Sequence, residues 1–148
     1  MLPEAIELII VTPERQLLRQ TVAEIQLPGA DGFLGILPGH APLITELGIG
    51  ELTYHTPDGK QSDPIAILRG FAEVLPDKVT VLAETAELAA EIDLERAKKA
   101  LARAQDRLAS NSPDIDWDRA TIALSRALIR VKLGEYARKR GTTAVAHN

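Results

Sequence analysis

Several residue types are absent or scarce in this chain, and each absence excludes a class of site. Cysteine does not occur among the 148 residues, which rules out disulfides and thiolate metal centres. Two phenylalanines, two tyrosines and one tryptophan are too few for an aromatic platform that stacks single-stranded nucleic acid. The histidines, His40, His55 and His147, are scattered and lack the spacing of a metal site. We therefore expect neither a bound metal nor a nucleic-acid partner.

Long apolar runs are also missing. No run approaches the roughly 18 apolar residues of a membrane-spanning helix, so direct insertion into a membrane is not expected. At 45% hydrophobic and 26% charged residues, the composition is typical of a soluble globular protein. A length of 148 residues suffices for one domain or two small ones.

Glycine, proline and alanine divide the chain near Glu84. Eight of the ten glycines and eight of the nine prolines precede this residue, whereas fourteen of the 21 alanines follow it. Turn formers are therefore concentrated in the first part and helix formers in the second. This change predicts an N-terminal β-domain, residues 1–85, followed by a C-terminal helical domain, residues 86–148.

Short runs of β-forming residues alternate with turn signals in the first domain, at the spacing of a β-sandwich. Pro57–Lys60 is a strong turn signal, and so is Pro76–Lys78, which should join two hydrogen-bonded antiparallel strands. The predicted strands are Ile6–Val11, Val22–Leu27, Gly50–Thr56, Pro64–Leu68, Phe71–Leu75 and Val79–Ala83.

The second domain is predicted to form two helices. Asp93 can cap the first helix, and Ser110–Pro113 ends it. Asp116 can cap the second, which is expected to run to about Arg140 and to stop at Gly141. One apolar stripe on the first helix consists of Ala97, Leu101, Ala104 and Leu108. The fold class is thus α+β, an N-terminal antiparallel β-sandwich followed by a C-terminal two-helix hairpin.

The second helix carries two apolar stripes, about 130° apart at about 100° per residue. One consists of Trp117, Leu124, Leu128 and Val131, and the other of Ile122, Ile129, Leu133 and Tyr136. A hairpin partner can cover only one of them, so the other must meet the sandwich, another chain or different neighbours at different times. Alanine buries little area, so the hairpin alone is expected to be marginally stable.

Charge is distributed unevenly along the chain. Residues 1–84 hold 5 basic and 12 acidic residues, a net −7, whereas residues 85–148 hold 12 basic and 9 acidic, a net +3. Within Arg119–Arg140 there are seven basic residues and one acid. This helix is a candidate to meet an acidic partner or a polyphosphate, although a solvated helix face is the commoner explanation of such a run.

Residues Leu34–Thr45 form an apolar run that two glycines and two prolines interrupt. The run is too broken for a helix and too apolar for an ordinary solvent loop. Gly39 suits a turn with positive φ, and the flanking prolines fix φ on either side. From these residues alone, the segment is a rigid corner of a β-domain, with Gly and Pro keeping part of it out of the ladder.

The order of glycines and prolines in this segment also resembles the signature of the ε subunit of bacterial F-type ATP synthases, which is called δ in mitochondria. Val11–Pro13, Gly70–Val74 and Val79–Leu82 resemble the sandwich of the same subunit. One departure is that the family usually has Gly-Gly-Phe where this chain has Arg69-Gly70-Phe71. Arg69 puts the local backbone approach in question, but not the fold.

The resemblance covers residues 5–140 and implies a non-catalytic subunit of a proton- or sodium-translocating ATP synthase, peripheral at the cytoplasmic face of the cell membrane. The sandwich would join the γ subunit to the ring of c subunits. The helices would restrain ATP hydrolysis by swinging between a compact state and an extended state that reaches the catalytic β (and α) subunits. The implied rotor interface consists of Gly39, His40, Ala41 and Pro42.

Ile92–Ala97 matches the Ile/Leu-Asp-x-x-Arg-Ala pattern of ATP-binding ε subunits. Arginine's planar fork suits phosphate oxygens, Ile92 and Ala97 would offer apolar surface to a purine, and Asp93 would accept from its exocyclic amine. The implied ATP site consists of Glu87, Ile92, Asp93, Arg96, Ala97, Arg103, Arg126 and Arg130. The chain has no glycine-rich phosphate loop, so ATP would be a regulatory ligand and no cofactor is required.

Other interpretations stay open at this point. Asp93 is a good N-cap and Ile92 takes the hydrophobic-staple position, and the pattern recurs at Ile115–Ala120, so the string is also typical of a helix start. One alternative function is a stand-alone nucleotide-sensing β-sandwich module without affinity for γ. The other is a nucleic-acid binder that uses the basic hairpin, which the acidic first domain and a pI of 5.4 argue against.

Overall fold

The computed structural model describes residues 2–146, with side chains as far as residue 141. The chain divides into two compact units, Met1–Glu87 and Leu88–Asn148. The boundary between them lies two residues beyond the predicted one. The strands of the first unit are β1 (Ile6–Val11), β2 (Gln16–Val22), β3 (Glu24–Gly29), β4 (Gly32–Ile36), β5 (Leu43–His55), β6 (Ile65–Leu75) and β7 (Lys78–Leu88). A short 3-10 helix (Ala89–Glu91) precedes the helices α1 (Leu94–Ala109) and α2 (Trp117–Ala146).

The first unit is the predicted β-sandwich. Its strands form one hydrogen-bonded sheet in the order β2-β1-β7-β6-β5-β3-β4. Neighbours close in sequence pair antiparallel, such as β1 with β2 and β5 with β6. The first and last strands, β1 and β7, pair in parallel, with Glu7 beside Lys78 and Val11 beside Leu82. The predicted turn after Pro76 joins β6 to β7, which are hydrogen-bonded neighbours as expected.

Large branched side chains fill the interior of the sandwich. Successive residues of a strand alternate between its two faces, so every second side chain can point into this interior. On β1, Ile6, Leu8 and Ile10 point inward and are at most 1% exposed. The fully buried side chains of the other strands include Val22, Ile25, Leu27, Ile36, Leu47, Leu52, Ile67 and Leu68.

The predicted strand Val22–Leu27 is wrong, since it spans the junction of two strands. β2 ends at Val22 and β3 begins at Glu24, and Ala23 between them donates its N–H to the carbonyl of His55, at 2.7 Å. Most of β2 is polar or half-exposed and β4 contains two glycines, so neither has the alternation that identifies a strand in sequence.

Two further strands differ from the prediction in length. β5 begins at Leu43 and not at Gly50, so the end of the Gly/Pro segment joins the ladder, with Leu43 opposite Val74. β6 unites the two predicted strands Pro64–Leu68 and Phe71–Leu75. In both strands, pairing with neighbours outweighs the local preference of glycine for turns.

A kink at Arg69-Gly70 lets β6 continue. Gly70 has φ +147°, and a Cβ there would lie 2.2 Å from the carbonyl oxygen of Leu82, so only glycine permits this approach to β7. Arg69 itself takes the left-handed conformation, with φ +69°. The departure from Gly-Gly-Phe therefore leaves the close approach intact and places an arginine where L-residues are strained.

The second unit is the predicted hairpin, and its two helix starts are confirmed. Asp93 Oδ1 accepts the N–H of Arg96 at 3.1 Å, and Asp116 Oδ1 accepts the N–H of Arg119 at 3.1 Å. The predicted stop at Gly141 is wrong, because α2 continues to Ala146. Gly141 does not take the positive φ of a helix stop, and a glycine within a helix costs only about 1 kcal/mol.

Small residues form the face of α2 that meets α1. A Cβ on Gly134 would lie 3.1 Å from Leu94 Cδ1 and 3.4 Å from Ile92 Cγ2, so α2 at Gly134 packs directly on the start of α1. Ala120 and Ala127 precede Gly134 at intervals of seven, share its face and are buried. The predicted stripe that includes Trp117 lies beside this face, and Trp117 is 52% exposed.

On the other predicted stripe, Leu133 is fully buried.

Neither α1 nor α2, as far as residue 146, combines the length and the apolar character that crossing a membrane requires.

Candidate functional site

The predicted rotor interface lies in the loop between β4 and β5, residues Leu37–Pro42. Gly39 has φ +86° and donates its N–H to the carbonyl of Pro76 at 2.8 Å, which ties the loop to the turn between β6 and β7. The N–H of His40 returns to the carbonyl of Leu37 at 3.1 Å. Backbone bonds therefore hold the loop in one shape, as the glycine and prolines predict.

The side chains of the loop project outward. His40 Nδ1 lies 2.7 Å from the carbonyl oxygen of Ala41, and since a carbonyl only accepts, Nδ1 carries the proton. Ala41 and Pro42 are exposed. The segment is thus not enclosed in the sandwich core, in agreement with the expected surface position.

Exposed apolar side chains flank this loop, and the sequence prediction did not single them out. They belong to β4, the loop itself and the start of β5, and Ile44 is 73% exposed. Their set consists of Phe33, Leu37, Leu43 and Ile44. We call this set together with Gly39–Pro42 the loop surface. Large apolar side chains exposed beside one loop are typical of a contact with another protein.

The predicted nucleotide site begins at the cap of α1. The capping interpretation is confirmed, since one carboxylate oxygen of Asp93 accepts the N–H of Arg96. A carboxylate has further lone pairs on its second oxygen, so the cap leaves acceptor capacity for a ligand. Ile92 and Leu94 rest on Gly134, which holds this cap beside α2. Ala97 is only 4% exposed, so in the closed hairpin it packs inside and offers little surface to a purine.

The four predicted arginines lie on both helices. Arg96 and Arg103 are two turns apart on α1 and exposed, and Arg126 and Arg130 are one turn apart on α2 and half-buried. The Nε atom of Arg126 is buried. At about 100° per residue, each pair shares one face of its helix.

Helical geometry also places both pairs on the same side of the hairpin. Seen along each helix axis, the arginines are rotated from the packed row against the direction in which the chain winds, by roughly 110° to 130° on α1 and by roughly 60° to 100° on α2. The two helices run antiparallel, so this shared rotation leads to the same side of both. The packed rows are Ala97, Leu101, Ala104 and Leu108 on α1 and Ala120, Ala127 and Gly134 on α2.

Two arginines that the prediction left out occupy the same side. Arg107 and Arg119 are exposed and line an open cavity of about 470 Å³ at the tip of the hairpin, together with Ser112, Asp114, Ile115 and Asp116. Their spacing was the available signal: Arg96, Arg103 and Arg107 follow the same intervals, seven and four, as Arg119, Arg126 and Arg130. The closure of the hairpin, which the spacing does not give, brings the two sets to one side.

The remaining predicted residue, Glu87, is half-buried near the end of β7, in the first unit. His147 lies outside the described residues. Among the residues that the structure describes, there is no group of three metal-ligating side chains.

Comparisons with known proteins agree with the two-unit division. Residues 5–89 match the model of the ATP synthase delta/epsilon chain β-sandwich domain, and residues 90–134 match that of its long α-helix domain. The ATP synthase epsilon chain of Solibacter usitatus is 48% identical over 130 residues, which are 88% of this chain and 96% of the relative. That of Geobacter sulfurreducens is 50% identical over 138 residues, 92% of this chain and 99% of the relative.

A solved structure is similar as well. A chain of the Euglena gracilis mitochondrial ATP synthase, in its OSCP/F1/c-ring structure, superposes with a TM-score of 0.77 at 27% identity. The match covers 90% of this chain and 83% of that one. A chain of the Tetrahymena thermophila central stalk and c-ring structure shares the fold, with a TM-score of 0.53 at 16% identity.

Proposed function

The chain belongs to the ATP synthase delta/epsilon chain family, and from this premise we propose that it is a non-catalytic subunit of the central rotor. Its sandwich would bind γ and rest on the c ring, and its hairpin would regulate ATP hydrolysis by the catalytic β and α subunits. The complex would translocate protons or sodium, with this subunit peripheral at the cytoplasmic face of the cell membrane. The similarity to a chain of an F1/c-ring assembly supports this placement.

The observation that carries the rotor role is the loop surface. Its backbone is fixed by hydrogen bonds, whereas its apolar side chains are exposed to solvent. A rigid apolar surface binds a partner with little loss of conformational entropy, which favours the lasting contact that a rotor requires. We assign the c ring as the partner of this surface.

Mixing the full chain with purified γ tests the proposal. A complex that survives size-exclusion chromatography is expected, whereas a stand-alone nucleotide-sensing module would elute as a monomer. The double variant Leu37→Glu/Ile44→Glu should still bind γ but should reduce ion pumping by the assembled complex. Unchanged pumping by this variant would remove the c ring as the partner of the loop surface.

The hairpin supports a regulatory role because little apolar area holds it closed. Its buried row consists mostly of alanine and glycine, so its closed state is readily shifted. Deleting residues 88–148 should leave a folded sandwich that binds γ and should raise ATP hydrolysis by the assembled complex. Unchanged hydrolysis at every nucleotide concentration would end the inhibitory role.

ATP is proposed as the ligand that favours closure. Guanidinium groups on one side of the closed hairpin repel one another, and a triphosphate would relieve this repulsion through charge-assisted hydrogen bonds. A ligand that binds only the closed state stabilises it by about 2.7 kcal/mol at about a hundredfold excess over its Kd. Abundant ATP would hold the helices closed, and scarcity would release them to inhibit.

Calorimetry with the full chain tests ATP binding. Arg126→Ala and Asp93→Ala should bind far more weakly than the unmodified chain. Asp116→Ala is the matched control, because it loses the equivalent cap on α2 and leaves the start of α1 intact. No heat of binding at millimolar ATP, or equal binding by all variants, would leave Ile92–Ala97 as a helix cap alone.

A further inference from the structure

Arg69, on β6, combines backbone strain, exposure and a charge that its own domain does not pair. Its backbone takes the left-handed conformation, with φ +69°, which crowds the Cβ of every residue except glycine. Its side chain is exposed to solvent. Among residues 2–141, whose side chains the structure describes, none forms a hydrogen bond or an ion pair with this guanidinium. No polar contact within that part of the chain therefore offsets the strain.

The neighbouring strand also leaves the surroundings of Arg69 open. In the pairing of β5 with β6, Leu47 lies opposite Gly70 and Ile49 lies opposite Leu68, so Gly48 is level with Arg69. Glycine has no side chain that could cover or pair with the arginine. The N–H donors of the guanidinium are consequently accessible to a second molecule.

Two large apolar side chains are exposed close to Arg69. Phe71 follows it by two residues on β6 and is 55% exposed, and Leu82 on the adjacent strand β7 is 54% exposed. Val11 of β1 lies opposite Leu82 and is half-exposed. Large apolar side chains that are exposed together on neighbouring strands are typical of a contact with another protein.

A groove of about 380 Å³ lies beside these side chains. Its lining includes Pro13 from the turn after β1, Gly70 and Phe71 from β6, and Leu82 and Ala83 from β7. Gly70 has no side chain and Ala83 has a small one, so the groove leaves room for an apolar side chain of a partner. The strands hold its walls in place, which reduces the entropy that binding costs.

Three exposed glutamates adjoin the same surface. Glu46 lies opposite Phe71, Glu73 follows Phe71 by two residues, and Glu84 lines the groove. These carboxylates repel an acidic side chain of a partner, whereas Arg69 attracts it. Arg69 therefore selects the place at which a partner can present a carboxylate, and such a contact determines the orientation of the partner.

We propose that Arg69 is a specificity-determining residue of the surface that binds γ, where it pairs with a carboxylate of γ while an apolar side chain of γ enters the groove. The identity of the partner is taken from the proposed function, so this assignment rests on it. The planar guanidinium can bind both oxygens of a carboxylate, which the ammonium of lysine cannot do in the same geometry. The strained backbone of Arg69 then serves binding and not stability.

Stability and affinity are expected to change in opposite directions at this residue. Arg69→Gly relieves the strain, so its urea midpoint should not be lower than that of the unmodified chain, but its affinity for purified γ should be about tenfold lower. Arg69→Lys keeps the charge and should bind with intermediate affinity, whereas Arg69→Glu should bind least. Lys60→Glu is the control, because it reverses an exposed cation in the turn after β5 and should bind γ like the unmodified chain.

Two further sets of variants test the contacts themselves. Phe71→Ala should also weaken binding about tenfold, since exposed aromatic side chains are common anchors of interfaces. Single carboxylates of γ can be replaced by lysine one at a time. One of these γ variants should restore the binding of Arg69→Glu and should bind the unmodified chain more weakly.

Equal affinity of Arg69→Gly and the unmodified chain for γ would overturn the assignment and leave the proposed function intact. The same conclusion would follow if no γ variant restored the binding of Arg69→Glu, or if Arg69→Gly lowered the urea midpoint together with the affinity. Unchanged affinity of Phe71→Ala would remove the groove from the interface. An unmodified chain that does not bind γ would instead contradict the proposed function, and the assignment with it.

Discussion

The sandwich and the hairpin bury different kinds of side chain. The sandwich encloses isoleucine, leucine and valine, each contributing about 1.5–3 kcal/mol when fully buried. The packed faces of the hairpin bury mainly alanine, whose methyl group contributes about 0.8 kcal/mol. The apolar core of the sandwich is therefore sufficient to stabilise it. The free energy that favours the closed hairpin is small, so a ligand of moderate affinity can change the fraction of closed molecules.

The two units also differ in charge. The sandwich portion is strongly acidic, but its charges are distributed over many strands, whereas six arginines of the two helices lie on one side of the hairpin. Repulsion among these groups opposes closure where the apolar contribution is smallest. This contrast indicates that the sandwich keeps one conformation, whereas the conformation of the hairpin can be shifted.

The largest effect is expected from a substitution that destabilises the sandwich and leaves the hairpin unchanged. Gly70→Ala should destabilise the sandwich by about 3 kcal/mol, since the new Cβ would lie 2.2 Å from the carbonyl oxygen of Leu82 and 2.8 Å from the Cα of Ala83. Urea unfolding followed by circular dichroism measures this. Gly35→Ala is the control, because its Cβ would have no atom within 4 Å. Equal stability of the two variants would contradict the close approach at the kink.

The next largest effect is expected from a substitution that destabilises the closed hairpin and leaves the sandwich unchanged. Gly134→Leu should oppose closure by about 2 kcal/mol, because even a Cβ there lies 3.1 Å from Leu94 Cδ1. Hydrogen exchange should show faster exchange in α1 with unchanged protection of β1 and β7. Gly141→Leu, where a Cβ meets open space, should instead stabilise α2 slightly. Exchange that is equally slow in both variants would show that the Gly134 contact does not hold the helices together.

A smaller gain is expected at Arg69. Arg69→Gly should stabilise the sandwich by roughly 0.5 kcal/mol, since relief of the left-handed strain exceeds the extra entropy of glycine in the unfolded chain. Arg69→Ala removes the same charge but keeps the strain, so it should show no gain. The same urea measurement decides this, and a gain in the alanine variant would assign the effect to charge.

The smallest effect concerns Tyr54, in β5. Burial, and to a lesser extent the charge of Asp63, raises the pKa of its phenol above the ordinary value of 10.0. The unfolded chain then releases this proton first, so the contribution of Tyr54 is complete below pH 10 and is lost as pH rises toward its folded pKa. The urea midpoint should fall more steeply above pH 10 in the unmodified chain than in Tyr54→Phe. Parallel curves would contradict the shift.

Local chemistry determined which parts of the fold could be predicted. The caps at Asp93 and Asp116 and the turns after Thr56 and Leu75 depend on a few adjacent residues, so the sequence identified them. Strand ends depend on distant partners instead. β5 runs through Gly48 and Gly50 because β3 and β6 pair with it, and Gly50 leaves room for Pro28, whose Cβ lies 2.8 Å from where its own would be.

The candidate sites divide in the same way. The Gly/Pro loop and the start of α1 are continuous in sequence, and both were predicted. The side of the hairpin on which Arg107 and Arg119 meet depends on the closure of two helices, which no local pattern encodes. The apolar residues Phe33 and Ile44 were not singled out, because the sequence alone does not decide which face of a short strand is turned outward.

The parallel pairing of β1 with β7 has a consequence for biosynthesis. The partners of Glu7 and Val11 are Lys78 and Leu82, about seventy residues later, so one edge of the first strand stays open until the last strand has been made. Contacts so distant in sequence slow folding, and an unpaired strand edge is a template for aggregation. A nascent chain of this protein therefore passes through a vulnerable interval that ends when β7 inserts between β1 and β6, before either helix has been completed.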